Sequence, residues 1–168
     1  MQEGDRREMK ESARGGFSLV EVSLAILLIG MGILTLFSLF PAGLKQSENA
    51  VMDTHVALFA EEVMNGFRAN ASSMTNWATW SNVANFRAQV LGANLSVSGQ
   101  AIYGDGAART ISDFIATSQG VTYSMLVDKV SAPHTNLYSA NLKVCMGNSW
   151  VPAEAQWFYT EVCYPGWK

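Results

Sequence analysis

Positions 22 to 44 form 23 consecutive residues without a charge, drawn mainly from Leu, Ile, Val, Ala, Gly and Phe. At about 1.5 Å per helical residue, a run of ~20 such residues crosses the hydrocarbon core of a bilayer. The apolar stretch begins at Phe17 and contains one charge, Glu21. It is apolar on every side, so a helix built from it has no face to offer water. Charged residues make up only 15% of the chain, against about a quarter in an average soluble domain, and this run explains the deficit. A secretory signal has an apolar core of about 7–15 residues followed by a small-residue cleavage site. Here the run is too long, and no A-x-A pattern follows it. A plain membrane anchor fits the length, but leaves the preceding Gly15-Gly16 pair and the acid at Glu21 unexplained. The run's length and lack of a polar face disfavour a buried core helix.

The flanks set an orientation. Residues 1–16 carry Glu3, Asp5, Arg6, Arg7, Glu8, Lys10, Glu11 and Arg14, whereas Lys45 is the only basic residue immediately after the run. The positive-inside bias then places the N-terminus in the cytoplasm and the remainder outside. Beyond the run, Met52, Val56, Phe59, Val63 and Phe67 recur at spacings of four, three, four and four, with Glu61, Glu62 and Arg68 off that stripe. This is the period of an amphipathic helix. Residues 17–69 therefore read as one helix, roughly 80 Å long at the helical rise. Pro41 is expected to kink it or open it locally, because proline removes the amide bond to residue 37 and crowds that turn.

From position 70 the composition becomes polar and mixed. Trp77, Trp80, Val83, Phe86 and Val90 suggest a short helix over about 80–91, and 93–118 reads as loops with short elements. Residues 120–130, 137–146 and 156–164 are rich in Tyr, Val, Leu and Phe and read as strands, with Pro133 and Pro152 in their connections. The expected fold is α+β: a long N-terminal helix whose half over 45–69 lies on a small C-terminal antiparallel sheet. Two cysteines, Cys145 and Cys163, fall in this last part. A hairpin closed around Glu154 sets them opposite each other, within disulfide reach in an antiparallel ladder. Such a bond is expected in an oxidising compartment and would add about 3 kcal/mol in the chain-entropy picture.

The stretch Gly16-Phe17-Ser18-Leu19-Val20-Glu21-Val22 resembles the class III signal of type IV prepilins and pseudopilins. The basic leader, the glycine, the phenylalanine, the acid five residues into the apolar run and the unbroken helix after it all match. The resemblance is strong over about 14–45 and extends to the rest of the chain only in layout. It implies that a prepilin peptidase cuts between Gly16 and Phe17 and methylates the new amine of Phe17. It also implies that Glu21 directs assembly by pairing with the N-terminal amine of a neighbouring subunit. An acid inside a membrane helix costs about 2.5–3.5 kcal/mol on insertion scales, so it needs such a partner. Glycine suits the cut, since no side chain hinders close approach to the backbone.

The resemblance divides the chain into a cleaved leader (1–16), a transmembrane assembly helix (17–44), its amphipathic continuation (45–69) and a periplasmic head (70–168). Expected partners are the peptidase, other pilin or pseudopilin subunits, the bacterial inner membrane and the assembly platform in it. Major pilins usually carry a proline where this chain has Ser38. Here the proline is Pro41, and the apolar run looks most like V-type minor pilins and I-type secretion pseudopilins. A structural subunit without enzymatic activity or cofactor is the expectation. Two alternatives remain open: a type II secretion pseudopilin that moves exoproteins, and a tip module that binds DNA or a surface.

Few residues suggest other chemistry. His55 and His134 lack a second ligand at metal spacing, and Asp105 with Asp113 fits no calcium-loop pattern. No phosphate-binding glycine loop or nucleophile motif occurs. The net charge is −3 and the pI about 5.3, so nucleic acid is not an expected partner. Of the five tryptophans, Trp150 and Trp167, near loops, are the candidates for a partner surface.

Overall fold

The computed structural model describes residues 16–112, 114, 120–131 and 136–166. Most of the expected leader, together with Asp113, Pro133, His134 and Trp167, lies outside the described residues. The elements are α1 (Leu19–Ser72), α2 (Trp77–Ser81), α3 (Val83–Val90), β1 (Gly92–Val97), β2 (Gln100–Ile102), β3 (Asp105–Ile111), β4 (Val121–Lys129), β5 (Leu137–Met146) and β6 (Gln156–Cys163). The layout is the expected α+β one. Two compact units divide between Ser47 and Glu48.

In the first unit the helix is exposed along its whole length, with Leu19, Ile29, Leu34 and Phe40 each more than 60% accessible. This part of α1 is long and apolar enough to span a membrane. The helix continues past Pro41, which lies inside it and has no amide to offer residue 37. Just before it, Thr35 Oγ1 donates to the Met31 carbonyl at 2.7 Å and Ser38 Oγ to the Thr35 carbonyl at 2.8 Å. Such bonds let hydroxyl side chains sit inside an apolar helix with their polar groups satisfied.

In the second unit the remainder of α1 buries one face. Val56, Phe59, Val63 and Phe67 of the expected stripe are buried, Met52 at its start is half-buried, and Ala60, Met64 and Ala71 widen the contact. They join a single core with the inward residues of the sheet, Val121, Tyr123, Met125 and Val127 of β4 and Tyr138, Ala140, Leu142 and Val144 of β5. Each fully buried aromatic contributes about 1.5–3 kcal/mol by leaving water. Phe59 meets Tyr123 with ring centroids 5.8 Å apart. Arg68, off the stripe, reaches across to donate from Nε to Thr160 Oγ1 on β6 at 2.8 Å.

The sheet is antiparallel throughout, in the order β3-β4-β5-β6. All three expected strands are present, within a residue or so at each end. β3 was not expected. It comes from the Gly- and Ala-rich stretch, whose alternation is hidden by a bulge between Asp105 and Ala108. Gly106 there takes φ +79°, which a side chain would resist, and Asp105 Oδ1 accepts from the Ala107 amide at 3.1 Å. β1 and β2 form a separate hairpin. Its two turn residues, Ser98 and Gly99, both have positive φ, as a two-residue hairpin turn requires.

The single helix expected over 80–91 is two. Asn82 is extended between them, and its side chain accepts from the amides of Ala84 and Asn85, capping α3. Asn76 caps α2 in the same way. The break turns Trp80 inward, where it packs edge-on to Phe86 and Tyr138, themselves stacked at 3.7 Å. Tyr138 donates to the Trp80 carbonyl at 2.8 Å, so the cluster is also hydrogen-bonded.

The expected disulfide is overturned. Both cysteines are free, Cys145 buried and Cys163 exposed. Pairs such as Leu137↔Cys163 and Val144↔Gln156 centre the β5–β6 connection on position 150 rather than on Glu154. Cys163 therefore lies opposite Leu137, eight residues or about 27 Å along β5 from Cys145. Cys145 instead sits opposite Thr122 of β4 and donates its thiol to the Val151 carbonyl. Moving one strand by eight positions is an even slip, which keeps every side chain on its own face. Alternation alone cannot exclude it. What decides the register is the longer connection, with Gly147 at φ +89°, and the docking of Tyr164 beside Trp77 and Trp80.

Candidate functional site

The residues singled out by sequence converge on the start of α1. Gly16 and Phe17 are in non-helical backbone; Phe17 is 79% exposed, and nothing lies within 4 Å of a side chain placed on Gly16. The 16–17 peptide bond thus lies in non-helical backbone just before α1. Ser18 ends this segment. Its Oγ faces the Val20 amide at 3.3 Å, and its carbonyl accepts the Val22 amide at 3.1 Å. That makes Ser18 the N-cap and Glu21 the third helical residue, the S-x-x-E spacing of a capping box. A carboxylate in the first turn is favoured by the helix dipole and by the unpaired amides there. Ser23 Oγ closes the first turn by donating to the Leu19 carbonyl at 2.8 Å.

Elsewhere the polar groups that gather are tied to one another. Arg109 pairs with Asp105 at 2.5 Å and lies over the Tyr103 ring at 4.2 Å. The hydrogen bond from Arg109 holds the Asp105 carboxyl below its usual value. Tyr123 accepts the Tyr103 amide on its hydroxyl at 3.0 Å, and burial pushes its phenol up. Tyr103, Arg109 and Tyr123 border a depression of about 330 Å³, where Arg109 is paired with Asp105 of its own strand. A second depression, of about 320 Å³, holds Asp53 and Glu154, and Asp53 accepts from Gln156 at 2.6 Å. Among the described residues no group of three or more His, Cys, Asp or Glu is placed to hold a metal ion. His55 is half-buried on α1, and Asp105 is committed to Arg109 rather than to a calcium loop.

One surface feature escaped the sequence reading. Trp150 is half-buried, whereas Trp157 on β6 is 68% exposed beside Tyr159 at 57%. Alternation along β6 was the available signal, since it places 157 and 159 on the face opposite Phe158 and Thr160.

Fold and N-terminal segment together define an α+β chain with one candidate membrane-spanning helix near its N-terminus and a small antiparallel sheet on the helix's second half. No family model, curated protein or solved structure matches this chain.

Proposed function

We propose that this chain is a structural subunit of a type IV pilus-like filament, a minor pilin or pseudopilin, processed by a prepilin peptidase and assembled through its N-terminal helix. The observation that carries the reading is the order of features at the start of α1. An open Gly16–Phe17 bond precedes the cap at Ser18, Glu21 follows in the first turn, and a fully exposed apolar helix comes next. Helix surface of that kind needs lipid or other helices as its solvent. Moving from lipid into a helix bundle changes its apolar environment little, so the same segment suits both membrane storage and filament assembly. Cleavage at Gly16 would leave a cationic amine on Phe17, four residues from Glu21. In an assembled core, Glu21 of one subunit and that amine of the next neutralise each other, offsetting the cost of two desolvated charges and fixing the axial step.

The membrane is the inner membrane, with the head on the periplasmic side, and the partners are the peptidase, neighbouring subunits and the assembly platform. Intact mass and N-terminal sequencing of the membrane-associated protein test the reading. The expected product begins at methylated Phe17 when the peptidase is present and retains its leader when the peptidase is deleted. A chain that keeps Met1 in both strains overturns the proposal. Glu21→Ala is expected to be cleaved normally and to be strongly depleted from sheared filaments. Wild-type incorporation of that variant would remove Glu21 from assembly.

A further inference from the structure

The sheet ends in β3 on one side and β6 on the other, and the two edges are built differently. On β3 the register breaks at the bulge between Asp105 and Ala108, and Gly106 takes φ +79°. Both Asp105 and Arg109 lie on that strand, and Gln100 of β2 donates to the Ser112 carbonyl just past its end at 3.2 Å. Bulges, charges and covering segments of this kind keep an edge from pairing with another chain. β6 has no such protection. Its eight residues pair with β5 in unbroken register from Gln156 to Cys163, with no Pro, Lys or Arg among them. Its only charge is Glu161.

Hydrogen bonds at the end of the sheet fix which backbone groups of β6 point away from it. The Tyr164 amide donates to the Asn136 carbonyl at 2.9 Å, one step beyond the Leu137↔Cys163 pair. On the other side of β5, the Val130 amide donates to the Leu137 carbonyl at 2.9 Å. Hydrogen-bonded pairs alternate with open ones along an antiparallel ladder. Even-numbered residues of β6 therefore bond to β5, while Trp157, Tyr159, Glu161 and Cys163 aim their amides and carbonyls outward. Among the described residues no backbone group bonds to those outward ones. Their spacing of about 6.8 Å, two residues of strand, is matched by another extended backbone.

We propose that the β6 edge pairs antiparallel with the β6 edge of a second copy of this chain. Self-pairing about a two-fold axis at Thr160 leaves no outward residue unmatched. It sets Trp157 opposite the partner's Cys163, a large side chain against a small one, and Tyr159 opposite the partner's Glu161, a phenol against a carboxylate. Glu161 already accepts from the Tyr159 hydroxyl of its own strand, so each carboxylate gains a second phenol. Moving the axis to Glu161 would set two carboxylates face to face, and moving it to Tyr159 would pair Cys163 with Ala155, outside the strand. The bulge on β3 bars head-to-tail addition of β6 to that edge, so the contact closes on itself as a two-fold pair. Such an axis is normal to the sheet and reverses both the strands and the head half of α1 packed on them. The pairing depends on the head alone. That it would join subunits of two filaments, rather than neighbours in one, rests on the function proposed above.

The test uses the full-length chain in detergent micelles, before any assembly, so its outcome is separate from that of the processing experiment. In the proposed register the Cα atoms of Trp157 and the partner's Cys163 are about 5.5 Å apart, within disulfide reach. The two copies of Cys163 are about 20 Å apart. Oxidation by copper phenanthroline should therefore join Trp157→Cys into a reducible dimer and leave the wild type, Tyr159→Cys and Glu161→Cys uncrosslinked. In sedimentation equilibrium the wild type should form a dimer that grows with concentration. Tyr159→Pro removes one outward amide and spares the ladder to β5, so it should weaken that dimer by about tenfold while near-ultraviolet circular dichroism shows the head still folded. If this variant fails to fold, the crosslinks decide. A monomeric wild type overturns the proposal, as does a dimer that a folded Tyr159→Pro leaves intact. Crosslinking through Tyr159→Cys or Glu161→Cys in place of Trp157→Cys overturns it too.

Discussion

The two halves of α1 solve opposite problems with the same backbone. Between Leu19 and Leu44 the helix carries large apolar residues on every side and buries none of them. From Val56 to Ala71 it carries them in one stripe, and that stripe reaches zero accessibility at Phe59, Val63 and Phe67. The second pattern is written for a protein core in water. The first has no dry side and no wet side, so only a surrounding apolar medium satisfies it.

The sharpest way to break this comparison is to truncate one large side chain in each half. Phe59→Ala should destabilise the head by about 3–5 kcal/mol, read from denaturant unfolding of the full chain in detergent. Leu28→Ala, in the exposed half, should change the same transition by less than about 0.5 kcal/mol. Equal effects would mean that the membrane half contributes to head stability after all. Glycines give a gentler version. A side chain on Gly66 would press on the buried Leu95 side chain, whereas Gly32 has nothing within 4 Å. Gly66→Ala is therefore expected to cost about 1 kcal/mol, as overpacking outweighs the helix propensity it gains, and Gly32→Ala to leave the head unchanged.

A smaller effect is expected from pH, and only in the head. Burial raises the Tyr123 phenol above its ordinary value of 10.0, and burial likewise raises Tyr138. A raised folded value means that the native state holds these protons more tightly. Their contribution is complete below about pH 10 and is lost as the pH rises through the unfolded and then the folded values. Head stability should fall in that alkaline window, and Tyr138→Phe should flatten the slope. A slope that survives the substitution would assign it to other groups. Smallest of all is the response to reductant. With Cys145 and Cys163 unpaired, dithiothreitol should not shift the unfolding midpoint. Maleimide should label the exposed Cys163 in the native protein and Cys145 only after denaturation.

Much of this architecture was legible before any coordinates. The stripe on α1 and the strands β4, β5 and β6 were readable because burial on one face imposes a period on the sequence. β3 and the β1–β2 hairpin were not, since bulges and positive-φ turns interrupt the alternation that reveals a strand. Asn82 was a visible cap signal inside what looked like one helix. The long apolar helix near the N-terminus was legible too, because its hydropathy is contiguous and needs no long-range contact to be recognised.

By itself the sequence determined that 22–44 lacks any polar face, that Glu21 stands alone in the apolar run, and that the second half of α1 has one face to bury. These are local properties, set by side-chain chemistry and helical period. Only the tertiary structure decided the fate of the two cysteines and of Trp80 and Trp157. Sliding β6 by eight positions leaves its alternation intact, so the choice between a disulfide and two free thiols waits on register. Trp80 and Trp157 are chemically the same residue. One fills the core because Asn82 ends α2 beside Phe86 and Tyr138, and the other stays in solvent because β6 turns it to the face that no element of the described head covers.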